Sequence, residues 1–230
     1  MEGLTMWYRL GAIGMALGTL VLAYGFRLVP RENYRRYSVL VAVPLIAVGA
    51  YVLMSMKLGV LETQTDATVF GLRYVDWLLT TPLHVLYLGL LAGATNRSIW
   101  QSLVLMAATI LFGFAGAMVA SPLKWAGFAA GGLAFVGVVY ITATSFERAA
   151  RETGTLALLR KLRAFVVVLW LIYPAIWVLA PVGLGLMQIE TSALVVAYLD
   201  VVSKVGFGLI ALSGQLSVEE ATTTTEVTAD

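Results

Sequence analysis

Long apolar runs, each roughly twenty residues, recur along the whole chain and are separated by short polar interruptions. A helix of that length crosses a hydrocarbon core of ~30 Å. Reading the runs against helix breakers predicts seven spans, near residues 10–26, 37–58, 69–92, 99–119, 123–146, 164–179 and 192–212. The connections are marked by Pro30, the polar stretch 62–66, Asn96-Arg97, Ser121-Pro122, and the stretches 151–154 and 181–185. Nothing reads as a second domain, so residues 1–214 are expected to form one all-α seven-transmembrane bundle. Residues 215–230 turn Thr-rich and acidic, and are expected to be a disordered cytoplasmic tail.

Composition agrees with that pattern. Of the 230 residues, 60% are hydrophobic and 12% charged, far from the balance of soluble domains. The absence of cysteine excludes disulfides and thiolate metal sites, and a single histidine, His84, leaves no cluster for a metal. The net charge of +2 is spread over short loops, which excludes a nucleic-acid patch. The first apolar run has no basic flank before it and no Ala-x-Ala-like site after it, so it reads as a retained helix. The expected setting is a multi-pass protein of the cell membrane, surrounded by lipid.

Orientation follows from the distribution of Lys and Arg. Arg27, Arg31, Arg35 and Arg36, then Arg97, then Arg148, Arg151, Arg160, Lys161 and Arg163 fall on one side. The other side has Arg9, Lys57 and Lys124. The first group is expected to face the cytoplasm, which puts the N-terminus outside and the C-terminus inside. An odd number of spans requires the same opposite placement.

Four ionisable residues remain at membrane depth: Arg73 and Asp76 in the third span, Asp200 and Lys204 in the seventh. Each costs ~2.5–3.5 kcal/mol even on lenient insertion scales, so they must pair or face a wet cavity. Spacings of three and four residues put each pair on one helical face, and the four charges cancel. A polar clamp between two helices is one reading. A desolvated lysine is, however, a poor clamp and a good amine nucleophile toward an aldehyde. The surroundings favour a bound flat molecule. Trp77 follows Asp76, and Trp170, Tyr173, Pro174 and Trp177 recur at spacings of three and four. An aromatic stripe alone is more often plain packing; beside a buried lysine and two carboxylates it reads as a ligand slot.

The run Arg73-Tyr74-Val75-Asp76-Trp77-Leu78-Leu79-Thr80-Thr81-Pro82 resembles the third helix of the microbial (type 1, archaeal) rhodopsins. Leu199-Asp200-Val201-Val202-Ser203-Lys204-Val205 resembles their seventh helix, and Trp170-Leu171-Ile172-Tyr173-Pro174 with Trp177 their sixth. The resemblance covers all but the tail. It implies all-trans retinal bound as a Schiff base on Lys204, with Asp76 as counterion and proton acceptor. It further implies Asp200 as second counterion, Arg73 as a mobile cation, and Tyr51 and Tyr173 hydrogen-bonded around Asp200. The implied pocket comprises Trp77, Thr80, Thr81, His84, Thr109, Gly113, Phe128, Gly131, Phe135, Trp170, Tyr173, Pro174, Trp177 and Ser203.

That family holds proton pumps, chloride pumps and photoreceptors on one fold, so residue identities must decide between them. Asp76 disfavours a chloride pump. An outward proton pump of the bacteriorhodopsin type needs a second carboxyl about three turns beyond Asp76, where this chain has Tyr87. A phenol, with a reference pKa near 10, is a weak proton reservoir. The two glutamates at the exit of such pumps correspond to Val182 and Ser192, with Glu190 two residues from the expected place. Ser203 stands where pumps commonly carry alanine, and Tyr198 resembles a membrane-facing tyrosine that contacts a two-helix transducer. The resemblance is therefore to the sensory rhodopsin II and middle rhodopsin group. It implies a photoreceptor, not an enzyme, with all-trans to 13-cis isomerisation and a signal passed through the sixth and seventh helices. The alternative is a weak or slow proton pump. His84, eight residues after Asp76, faces the same side and is expected to tune the site or to hydrogen-bond within the bundle. Homo-oligomerisation is left open.

Overall fold

The computed structural model describes residues 2–216. Among them, seven helices are long and apolar enough to cross a bilayer: Gly3–Arg27, Arg31–Ser55, Gly71–Ala92, Asn96–Met118, Leu123–Glu152, Leu156–Leu179 and Ile189–Leu216. Successive helices pack side by side, and the first also packs on the seventh, which closes the ring. Leu17, Leu133 and Tyr140 point outward, while Asp76, His84, Asp200 and Lys204 are buried inside. That inverted distribution is what lipid demands, since polar groups have no partner in hydrocarbon.

Several limits differ from the hydropathy pattern, for identifiable reasons. The sixth helix begins eight residues before the expected position because its first two turns are amphipathic. Leu158, Leu159 and Leu162 are buried there, while Arg160 and Lys161 face out and mask the helix in a hydropathy scan. The second connection is not a plain polar loop. Val60–Glu62 pairs antiparallel with Thr68–Phe70, with Val60 opposite Phe70, so residues expected to begin the third helix form a strand. Gln64 ties this hairpin to the fourth helix: its backbone N–H donates to Met118 O, and its Oε1 accepts from Ala120 N–H. The third helix stops at Gly93, whose φ of 67° gives a left-handed cap that other residues adopt at a cost.

The fifth, sixth and seventh helices depart from regular winding in their interiors. Pro174 has no N–H to offer the Trp170 carbonyl, and the sixth helix is interrupted at Leu171. Wider π turns occupy Thr142–Phe146 in the fifth helix and Val202–Gly206 in the seventh. Such turns cluster at functional sites, and the second one holds Lys204. The fourth and fifth helices, by contrast, touch backbone to backbone: a Cβ on Gly127 would lie 2.9 Å from Gly116 Cα.

The seventh helix continues through Leu216, past the expected start of the tail at 215. Gln215 is buried at 3% exposure because its side chain turns inward to meet Tyr87. The rest of the expected tail lies outside the described residues.

Candidate functional site

The site forms where the third, sixth and seventh helices converge. Lys204 Nζ lies 2.9 Å from Asp76 Oδ2 and 3.3 Å from Asp200 Oδ2, and all three residues are buried. The two carboxylates are held differently. Asp200 Oδ2 accepts from the Tyr51 hydroxyl at 2.7 Å, and Asp200 Oδ1 accepts from the Tyr173 hydroxyl at 2.6 Å. Trp77 Nε1 donates to both of those oxygens, at 3.2 and 3.3 Å. Asp76 has the lysine on Oδ2, while its Oδ1 is buried without a partner among the described residues.

The four charges do not form two helix-local pairs. Lys204 bridges both aspartates, and Arg73 makes no direct ion pair with either among the described residues. Its Nη2 instead donates to the Tyr8 hydroxyl at 3.0 Å, and its guanidinium lies 5.6 Å from the centre of the Tyr8 ring. Its Nε is buried with no hydrogen-bond partner among the described residues. Tyr8 was not legible as a site residue, because it sits in the first helix, 65 positions from Arg73.

A cavity of about 210 Å³ lies between the helices, with Lys204 in its lining. Trp77, Thr81, His84, Thr109, Gly113 and Phe128 line it, as do Gly131, Phe135, Trp170, Tyr173, Pro174, Trp177 and Ser203. Phe128 stacks on Trp177 at 5.0 Å, and Trp170 meets Phe135 edge-on at 6.2 Å, which makes two flat aromatic walls. Gly113 and Gly132 supply the gap, since a Cβ on either would meet nothing within 4 Å. Gly131 serves packing as well, because a Cβ there would lie 3.0 Å from Thr109 O.

Thr80 is the exception among the expected pocket residues. It is fully buried but does not line the cavity, because its hydroxyl turns back to donate to the Asp76 carbonyl at 2.7 Å. Ser203 Oγ donates to Asp200 O at 3.2 Å and lies 3.4 Å from the Tyr173 hydroxyl. His84 Nδ1 lies 2.8 Å from Thr80 O, and its Nε2 is buried with no partner among the described residues. Tyr198, at 67% exposure, points away from the bundle. Val182 and Ser192 line the cavity, whereas the Glu190 carboxylate lies beside Gly3 of the first helix. Met106 and Ile110 also line the wall and were missed, since an apolar residue in a span carries no sign of which way it faces.

A buried primary amine between two carboxylates, in the wall of a cavity lined by aromatic side chains, marks the candidate site of this seven-helix membrane protein. A family model described as "Bacteriorhodopsin-like protein" matches residues 2–218. The chain is 50% identical over 229 residues to "Sensory rhodopsin-2" of Haloarcula vallismortis, covering 98% of this chain and 97% of that one. It is 44% identical over 214 residues to "Sensory rhodopsin-2" of Natronomonas pharaonis, covering 92% and 89%. Among solved structures it superposes on the thermophilic rhodopsin from Rubrobacter xylanophilus with a TM-score of 0.87 at 29% identity, covering 93% and 97%. The chain belongs to the bacteriorhodopsin-like family of microbial rhodopsins.

Membership implies a retinal chromophore, and the residues present fit one. The amine lines the cavity, aromatic side chains form much of its wall, and the absent side chains at Gly113 and Gly132 leave open space for a ring.

Proposed function

We propose that this protein is a retinal photoreceptor of the sensory rhodopsin II type, with Lys204 as the attachment residue and Asp76 as the proton acceptor. The observation that carries this reading is the contrast at Lys204: two carboxylates face one amine, and only one has an open oxygen. When bound as a Schiff base in its all-trans form, retinal supplies visible absorption and a light-driven change of shape to 13-cis. The protein's own groups do the rest. Asp76 Oδ1 has room to hold a proton, whereas the oxygens of Asp200 are filled by Tyr51, Tyr173 and Trp77. Arg73, anchored by Tyr8 and not locked to an aspartate, is free to move toward whichever carboxylate remains charged.

Two features support signalling over transport. Tyr87, at the place of a pump's proton donor, has no carboxyl. Tyr173 and Ser203 meet at 3.4 Å between the sixth and seventh helices, at the interrupted turn of one and the widened turn of the other. A rearrangement there shifts the two helices against each other, next to the exposed Tyr198 where a transducer would dock. The relatives named sensory rhodopsin support the same reading, in the membrane of an archaeon.

The test is to add all-trans retinal to the purified apoprotein, with Lys204→Ala as control. A visible band in the parent and none in the variant is expected. Illuminated cells carrying the protein should then show a slow photocycle and little sustained acidification; acidification at a true pump's rate would overturn the sensory reading.

A further inference from the structure

A second polar contact lies deep in the bundle, toward the end read as cytoplasmic. Gln215 Nε2 donates to the Tyr87 hydroxyl at 2.6 Å, linking the seventh helix to the third, and both side chains are buried. Gln215 Oε1 is buried with no partner among the described residues. Below this contact, the route to Lys204 is filled by rings. Phe207 packs edge-on to Tyr87 at 5.6 Å and to His84 at 4.7 Å, and His84 packs on Trp170 at 5.7 Å at the wall of the cavity. None of these five side chains carries a carboxyl group.

From this arrangement we infer that the Gln215–Tyr87 hydrogen bond is a stopper that keeps water out of the cytoplasmic half of the protein, and that Gln215 is the positioning residue that sets how slowly the photocycle returns. The inference rests on the photoreceptor reading above. Its physics is that of a satisfied buried pair. Gln215 gives Tyr87 its partner, so the phenol has no need of water. The open acceptor Oε1 is a polar atom where water from that side can stop, and His84 Nε2, further along the column, is another without a partner among the described residues. Removing one partner leaves a buried polar group that an entering water satisfies most cheaply. Such a water carries protons toward His84 and the cavity. Removing both partners leaves an apolar plug, and the column is dry again.

The sign of the effect therefore reverses along a double-mutant cycle. Gln215→Leu and Tyr87→Phe should each speed recovery after a flash severalfold and reduce its acceleration by azide, a soluble proton carrier. The double variant should return toward the slow, azide-sensitive recovery of the parent. A loosened helix packing would instead make the double variant at least as fast as either single one, which would overturn the stopper. Unchanged recovery in both single variants would overturn it as well. Tyr87→Phe keeps the ring and its packing on Phe207, so it provides the test even where Gln215→Leu does not fold. The visible band separates the two readings. A parent without a band fails as a photoreceptor, whereas normal bands with unaltered kinetics fail only the stopper.

Discussion

Asp76 and Asp200 both face the Lys204 amine, at 2.9 and 3.3 Å, yet three side chains donate to Asp200 while Asp76 Oδ1 accepts from none among the described residues. Two chemically identical groups are thereby made unequal. A proton placed on Asp200 would be set against donors that already fill its oxygens, and a proton on Asp76 would not.

Asp76→Asn should therefore keep a visible band with retinal, shifted to longer wavelength by the loss of one counter-charge. The transient blue-shifted species that marks proton transfer should be absent. Flash photolysis in the near-ultraviolet reads this directly, and a normal transient would move the acceptor elsewhere.

Asp200→Asn should act mainly on stability. It strips a fixed anion from Lys204 and weakens the acceptor for Tyr51 and Tyr173. Breaking a buried pair from one side costs ~3–5 kcal/mol. Thermal denaturation of the apoprotein should show a clear loss, larger than that of Tyr51→Phe, which removes one donor and leaves the ion pair.

Two glycines of the fourth helix should respond in opposite ways. Gly113→Ala enters open space, so the protein should fold normally and bind retinal with a shifted band. Gly116→Leu should fail to fold, because even its Cβ would lie 2.9 Å from the Lys124 carbonyl oxygen. Expression, melting temperature and absorption separate the two.

Glu147 ties the fifth helix to the sixth. Its carboxylate accepts from Arg160 Nε and Nη2 at 3.1 and 2.7 Å and from Arg163 Nη2 at 2.7 Å. Glu147→Gln should lower the melting temperature at low ionic strength. The gap from the parent should narrow as salt is raised, because the exposed Arg160 pair is screened more than the part-buried Arg163 pair. A gap independent of salt would show that packing, not charge, joins these helices.

How much of this was legible in the sequence depends on the kind of contact. Lys204, Asp76 and Asp200 announce themselves, because a charge in an apolar run has few physical excuses. The seven spans follow from hydropathy for the same reason. What stayed hidden depends on rotation about a helix axis and on partners far apart in the chain. Tyr8 with Arg73 and Gln215 with Tyr87 are such pairs, the second 128 residues apart. The amphipathic start of the sixth helix was lost to its own charges, and the hairpin at Val60–Glu62 to its brevity. Thr80 shows the limit from the other side. Its place on the third helix predicts a pocket residue, and a hydrogen bond to the Asp76 carbonyl one turn back takes it out of the wall.

The contact of Gly116 with Gly127 bears on more than packing. Where two backbones already touch, the wall behind them has no travel left, and that pair of helices acts as an anvil. The opposite wall is broken at Leu171 and widened at Val202–Gly206. A change of shape inside the cavity meets close-packed backbone at Gly116 and Gly127 and irregular winding in the sixth and seventh helices, so resistance to it is uneven around the ring.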